Sequence, residues 1–273
     1  MYNPGVSHPV DNSHYIAKHL TRPWEFTDDK GNARQLWFFD FDRDRFDVEA
    51  ARTLYTRDEP WALTVEQFLN RHLEDPLAKF LNRFRRDRSA EPKELELRAM
   101  KATLMLQVER TQNTIHEVVE KGEQYLNDLV MAADVVFDFV HVPLKQKRLM
   151  FPESGFFVIP MLGCGPLLAM PFDSSYFMVA VPKPSRRFIK TIVDLRETPD
   201  TLSGLSMGFD KCRRVVVPGN MRGSDERAMA HMLKWCREAG KLWAQATMRA
   251  NIQAWGVPFP KPFTMPRGLS VEP

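Results

Sequence analysis

Four side chains of the 273-residue sequence are the candidates for chemistry: His14, Glu66, Glu74 and Arg110. Paired carboxylates with a histidine suit proton transfer or the holding of a divalent cation. A guanidinium suits the stabilisation of a developing anion. Their spacing is less specific than their types. Glu66 and Glu74 lie eight apart, about 80° apart on an ideal helix, with His72 near Glu74. His14 and His19, in SHYIAKHLTRPWEF, are five apart, whereas imidazoles that share a metal on one helix face stand at i, i+3 or i+4. No glutamate or cysteine beside them completes a zinc set. The simpler reading makes the histidine–tyrosine stretch an anchor for the first element of the chain. Arg110 follows Glu109 within an apolar helix, where pairing with a carboxylate is the default.

Two other patterns invite a site. DFDRDRFD sets Asp40, Asp42 and Asp44 at the spacing of the first ligands of a calcium loop. The match ends at Arg45, where the loop needs glycine, and at Ala51, where it needs glutamate. Read as a strand, the stretch puts the three carboxylates on one face, and the intervening arginines mark a solvated edge. The basic runs RFRRDR, KQKR, SRRF and KCRR would follow phosphates if they converged, so nucleic acid is a possible partner. No phosphate-binding glycine loop, nucleophile elbow or HExxH stands in the sequence. Neither a cofactor nor a metal is specified.

The elements that must position these groups follow from patterning. The chain is 44% hydrophobic and 27% charged, enough for a real core, and its net charge of +3 commits it to no polyanion. Cys164, Cys212 and Cys236 are far apart and form no CxxC pair, which suits a reducing cytoplasm. The first residues have no basic and apolar signal pattern. The most apolar long stretch, LVMAADVVFDFVHV, carries Asp134 and Asp138, so no membrane partner is expected.

RQLWFFDFDRDRF reads as a strand. Thr64 and Gln67 form a capping box for a helix whose stripe continues through Leu77, Phe80, Leu81 and Phe84, with Pro76 as a kink or a new start capped by Asp75. Pro92 opens a second helical stretch that reaches about residue 120. Gly122 could end it, with EQYLNDLVMAADVVFDFV as a further helix. GFFVIPML, PLLAMPF, YFMVAVPK and RRFIKTIVDL read as a small antiparallel meander, and RRVVVPGN as one more strand. Ser224 caps a helix to about residue 255, with Met229, Met232, Leu233, Cys236, Leu242 and Trp243 on its buried face. The class is α+β: central helices, a small mostly antiparallel sheet and a long C-terminal helix. The helical region is expected over residues 1–142 and the sheet, last helix and proline-rich tail over 143–273, packed as one compact unit.

Taken in order, SHYIAKHLTRPWEF, LWFFDFD, LTVEQFLNRHLEDPLAKFL, LQVERTQNT and PFDSSYFMVAV resemble successive segments of the bacterial family called domain of unknown function 4238, over roughly residues 13–181. The resemblance implies one candidate cluster made of His14, Tyr15, Glu66, Glu74, Arg110 and Thr111. It also exposes a departure. The family tends to carry a Thr-Ser-Asp-like turn before the late sheet, and here FPESGFFVI puts Gly155 where the acid would stand, with Glu153 as a displaced substitute. Two functions are expected to compete. One is a non-catalytic interaction or binding protein in which these groups form a buried polar cluster. The other is a metal-dependent nuclease, or another enzyme acting on a phosphate-bearing substrate.

Overall fold

The computed structural model describes residues 13–14, 18–51, 56–57, 67–110, 116–145, 149–163, 165–194, 208–209, 212–223 and 225–256. In chain order the elements are β1 (Ser13–His14), α1 (Lys18–Thr21), β2 (Gln35–Asp40), β3 (Arg45–Ala50), β4 (Thr56–Arg57), a π turn (Asn70–Glu74) and α2 (Asp75–Arg86). There follow α3 (Glu94–Arg110), α4 (His116–Val136), β5 (Phe137–Pro143), β6 (Phe151–Pro152), β7 (Phe157–Ile159), β8 (Leu167–Asp173) and β9 (Tyr176–Pro182). A 3-10 segment (Lys183–Phe188), α5 (Ile189–Asp194), β10 (Arg214–Val217) and α6 (Glu226–Trp255) complete the series. The class is α+β, as the patterning implies. The chain forms two compact units, one of Met1–Thr21 and Ala51–Val130, the other of Arg22–Ala50 and Met131–Pro273.

The first unit is built on helices. Pro76 stands in the first turn of α2, which follows directly on the π turn, with Glu74 and not Asp75 at the cap position. Leu69 and Asp75 both have right-handed helical torsions, and the Asp75 N–H reaches back to the Asn70 carbonyl. This wider turn accommodates a residue that has no N–H to donate and whose ring crowds the preceding carbonyls. Leu77, Phe80, Leu81 and Phe84 are buried along α2, as their spacing requires. On α3, Ala99, Met100, Ala102, Leu104, Met105 and Leu106 are all buried, so this helix is enclosed on most sides. Glu96 ties the two helices together. It accepts a hydrogen bond of 2.9 Å from Arg83 Nη2 and one of 2.8 Å from the backbone N–H of Lys93. Gly122 breaks α4 with φ 57° and ψ −131°, torsions available to glycine and strained for other residues.

The second unit holds two four-stranded antiparallel sheets, ordered β3-β2-β10-β6 and β5-β9-β8-β7. Strands β8 and β9 are buried at every residue, as are the three valines of β10. Covering on both faces gives continuous apolar runs instead of an alternating pattern. Three expectations need correction. DFDRDRF is not one strand: β2 ends at Asp40, residues 41–44 turn, and β3 pairs back so that Phe39 faces Phe46. Residues 186–194 of RRFIKTIVDL are not a strand; they belong to the 3-10 segment and α5. FDFVHVP is not the end of a helix. It is β5, paired with β9 along its whole length.

The C-terminal helix α6 starts and ends cleanly. Asp225, not Ser224, is its N-cap, and its carboxylate accepts from the backbone N–H groups of Arg227 and Ala228. Gly256, at φ 70°, closes the other end by donating to Ile252 O. The helix is fastened at two places. Near its start, Lys234 pairs with Asp44 at 2.9 Å and Arg237 lies over the Phe41 ring. Further along, Trp243 Nε1 donates to Pro160 O at 2.7 Å, and the buried Asn251 side chain accepts from Gly163 N at 2.8 Å.

The Gly122→Ala change tests the break in α4. An added Cβ would meet only Phe68 Cε2, at an ordinary 3.9 Å, so the cost is torsional and not steric. A loss of about 1–3 kcal/mol is expected from the midpoint of urea unfolding.

Candidate functional site

Among the expected site residues, Glu74 is the last residue of the π turn and is half-buried. His14 lies in β1, opposite Thr56 of β4, and Arg110 is the last residue of α3. All three belong to the first unit. Glu66, Tyr15 and Thr111 lie outside the described residues, as do the side chains of His14 and Arg110. The imidazole of His72 is stacked on Phe68, with ring centroids 4.5 Å apart. Its Nδ1 stands 3.9 Å from the Glu123 carboxylate, which also accepts from Arg98 Nη2 at 3.2 Å. Glu123 is 54% exposed, so these contacts orient side chains at a solvated surface, where ion pairs contribute little to stability.

A denser polar group stands at the β2–β3 turn in the second unit. Asp40 has no exposed surface. One carboxylate oxygen accepts from the backbone N–H groups of Asp42, at 2.9 Å, and Arg43, at 3.0 Å. The other faces Arg214 Nε at 3.3 Å. Burial pushes this carboxyl up, but the two turn amides and Arg214 outweigh it and hold the group below the ordinary aspartate value. Asp42 pairs with Arg213 at 3.0 Å. Asp40, Asp42 and Asp44 therefore do not share a face: the first is sealed in the turn, and the other two reach different cations.

Glu153 follows β6 beside this group, and its backbone N–H donates to Arg214 O at 3.0 Å. Burial pushes its carboxyl above the ordinary glutamate value. Arg214 and Arg213 oppose that shift, and Asp40 and Asp42 add to it. Gly155 has φ 81° and closes its turn through a hydrogen bond of 2.9 Å to Pro152 O. The left-handed backbone supplies a physical reason for glycine at this position.

Several basic runs are drawn into local contacts. Arg83 pairs with Glu96, Arg186 with Asp138, Arg213 with Asp42 and Arg214 with Asp40. Arg88 and Arg187 lie over the Phe84 and Phe188 rings. Among the described residues, no group of three or more histidine, cysteine, aspartate or glutamate side chains is placed to hold a metal ion. No described helix is long and apolar enough to cross a membrane. Comparison of the chain with family models, with curated proteins and with solved structures finds no match.

The outer face of α6 was not singled out by sequence reasoning. Leu242 was expected on its buried side, yet it is 68% exposed, and Trp235 and Trp255 are 63% and 58% exposed. The buried side is set by Met229, Leu233, Cys236, Gly240, Thr247 and Asn251. The seven-residue interval from Trp235 to Leu242 was the available signal, since it places both on one side of a helix.

Asp40 and Glu153 predict opposite pH responses. The depressed carboxyl of Asp40 stabilises the fold above the ordinary aspartate range, and that contribution is lost as pH falls through its lowered value. Asp40→Asn should therefore cost about 1–3 kcal/mol at pH 7, with the deficit narrowing in acid. The raised carboxyl of Glu153 contributes stability below the ordinary glutamate value, lost as pH rises through its own. Glu153→Gln should accordingly raise the urea midpoint at pH 7 relative to wild type, and the advantage should shrink toward pH 4.

Proposed function

We propose that this protein is a non-catalytic interaction protein, and that the outer face of α6 is its contact surface. The observation that carries the reading is the exposure of Trp235 and Leu242 on one side of α6, the longest of the described helices. Water-exposed tryptophan is uncommon without a use, and tryptophan is enriched where proteins meet. The described buried carboxylates, by contrast, serve the fold. Asp40 closes a turn, Glu96 joins two helices, and Asp173 accepts from Ser175 within a hairpin. The resemblance to domain of unknown function 4238 remains the reason for considering His14, Glu66, Glu74 and Arg110 together. On this reading Glu74 is part of the polar framework of the first unit.

The test sets this reading against the metal-dependent nuclease. Wild type and Glu74→Gln are incubated with DNA and with RNA in Mg²⁺ or Mn²⁺. The interaction reading expects no cleavage by either protein, and a stability loss of about 1–3 kcal/mol in Glu74→Gln, as for a half-buried group deprived of its charge. Cleavage by wild type that disappears in Glu74→Gln, at unchanged melting temperature, would overturn it.

A further inference from the structure

The outer face of α6 has a regularity beyond its exposed Trp235. Trp235, Glu238, Leu242, Gln245, Arg249 and Ile252 follow one another at intervals of three and four residues, and all six are exposed. This is the spacing of a coiled-coil seam. The seam lies opposite the side defined by Met229, Cys236, Gly240 and Thr247, which is buried in the second unit. It runs over about 25 Å of helix at 1.5 Å per residue. The seam is too polar to be buried against an apolar partner, because the charges of Glu238 and Arg249 would both be taken out of water.

Its charges are, however, complementary to themselves. Glu238 lies in the N-terminal half of the seam and Arg249 in the C-terminal half. When two such helices run antiparallel, the register that sets Glu238 against Arg249 of a second copy also sets Trp235 against Ile252 and Leu242 against Gln245. Each contact then occurs twice about a two-fold axis, as an isologous interface requires. Ala239 and Ala246, on one flank, are small enough for close approach. In the single chain Lys241 Nζ holds Glu238 at 2.6 Å, but both side chains are well exposed, so the exchange of partners costs little.

We propose that α6 pairs with α6 of a second copy of this chain, antiparallel, through this seam, with Glu238 and Arg249 fixing the register. This rests on the interaction reading and names its partner.

The experiment is sedimentation equilibrium on the full chain and on two variants, Glu238→Arg and Arg249→Glu. Wild type should form a dimer. Each variant alone brings like charges together twice and should dimerise about tenfold or more weakly, since opposed like charges across an interface are strongly unfavourable. An equimolar mixture of the two variants should recover the dimer, because one chain then supplies both arginines and the other both glutamates. Recovery also excludes misfolding as the cause of the loss. A monomeric wild type, a dimer indifferent to either variant, or a mixture that stays monomeric would each overturn the pairing. A monomeric wild type that also leaves nucleic acid uncut would sink this inference alone and leave the interaction reading standing.

Discussion

The second unit depends on a carboxylate with no access to water. Asp40 ends β2, and its two oxygens do different work: one gathers the amides of the following turn, the other engages Arg214 on β10. A buried charge left without partners would be costly. Here the partners are what shape the chain. The turn amides fix where β2 reverses into β3, and the arginine joins that hairpin to the strand beside it. Asp44, at φ 51°, completes the reversal in a left-handed conformation that aspartate tolerates better than most residues. Its carboxylate then meets Lys234 on α6. One short acidic stretch thus sets the hairpin, its attachment to the sheet and the seat of the last helix.

That helix shows how one element can be both framework and surface. Its inner side carries small or adaptable residues, with Gly240, Thr247 and Asn251 allowing close approach to the body. Its outer side keeps tryptophan and leucine in water. Anchors through Asp44 and Phe41 near the start, and through Pro160 and Gly163 further along, hold it against both sheets. A rigid helix loses little freedom when its outer side is covered, which favours binding through preorganisation.

The class, the buried stripe of α2 and the interruption at Gly122 were legible because each rests on a local rule: periodicity or a special backbone. The extent of α6 was legible for the same reason, although its cap was placed one residue early. Misreadings arose where tertiary context overrode local pattern. FDFVHVP continues a helical apolar run without a break in composition, and pairing with β9 alone makes it a strand. DFDRDRF alternates like a strand, but its polar residues are turn chemistry. Leu242 looked like a core residue by type, and only the position of the body decides which side of α6 is inward. The expected grouping of His14, Glu66, Glu74 and Arg110 was not a local signal, since only Glu66 and Glu74 share a segment.

The β8–β9 hairpin has an unusual setting. Its tip, Asp173–Ser174–Ser175, is buried, and two leucines that follow β5 bond to its carbonyls. Leu144 N donates to Ser175 O and Leu149 N to Ser174 O, each at 2.8 Å. Hairpin tips ordinarily face solvent and accommodate extra residues. This one is held to its length, because a single inserted residue would move the carbonyls away from both leucine amides. Descendants of this chain should vary in length elsewhere on their surfaces while keeping this connection at two residues.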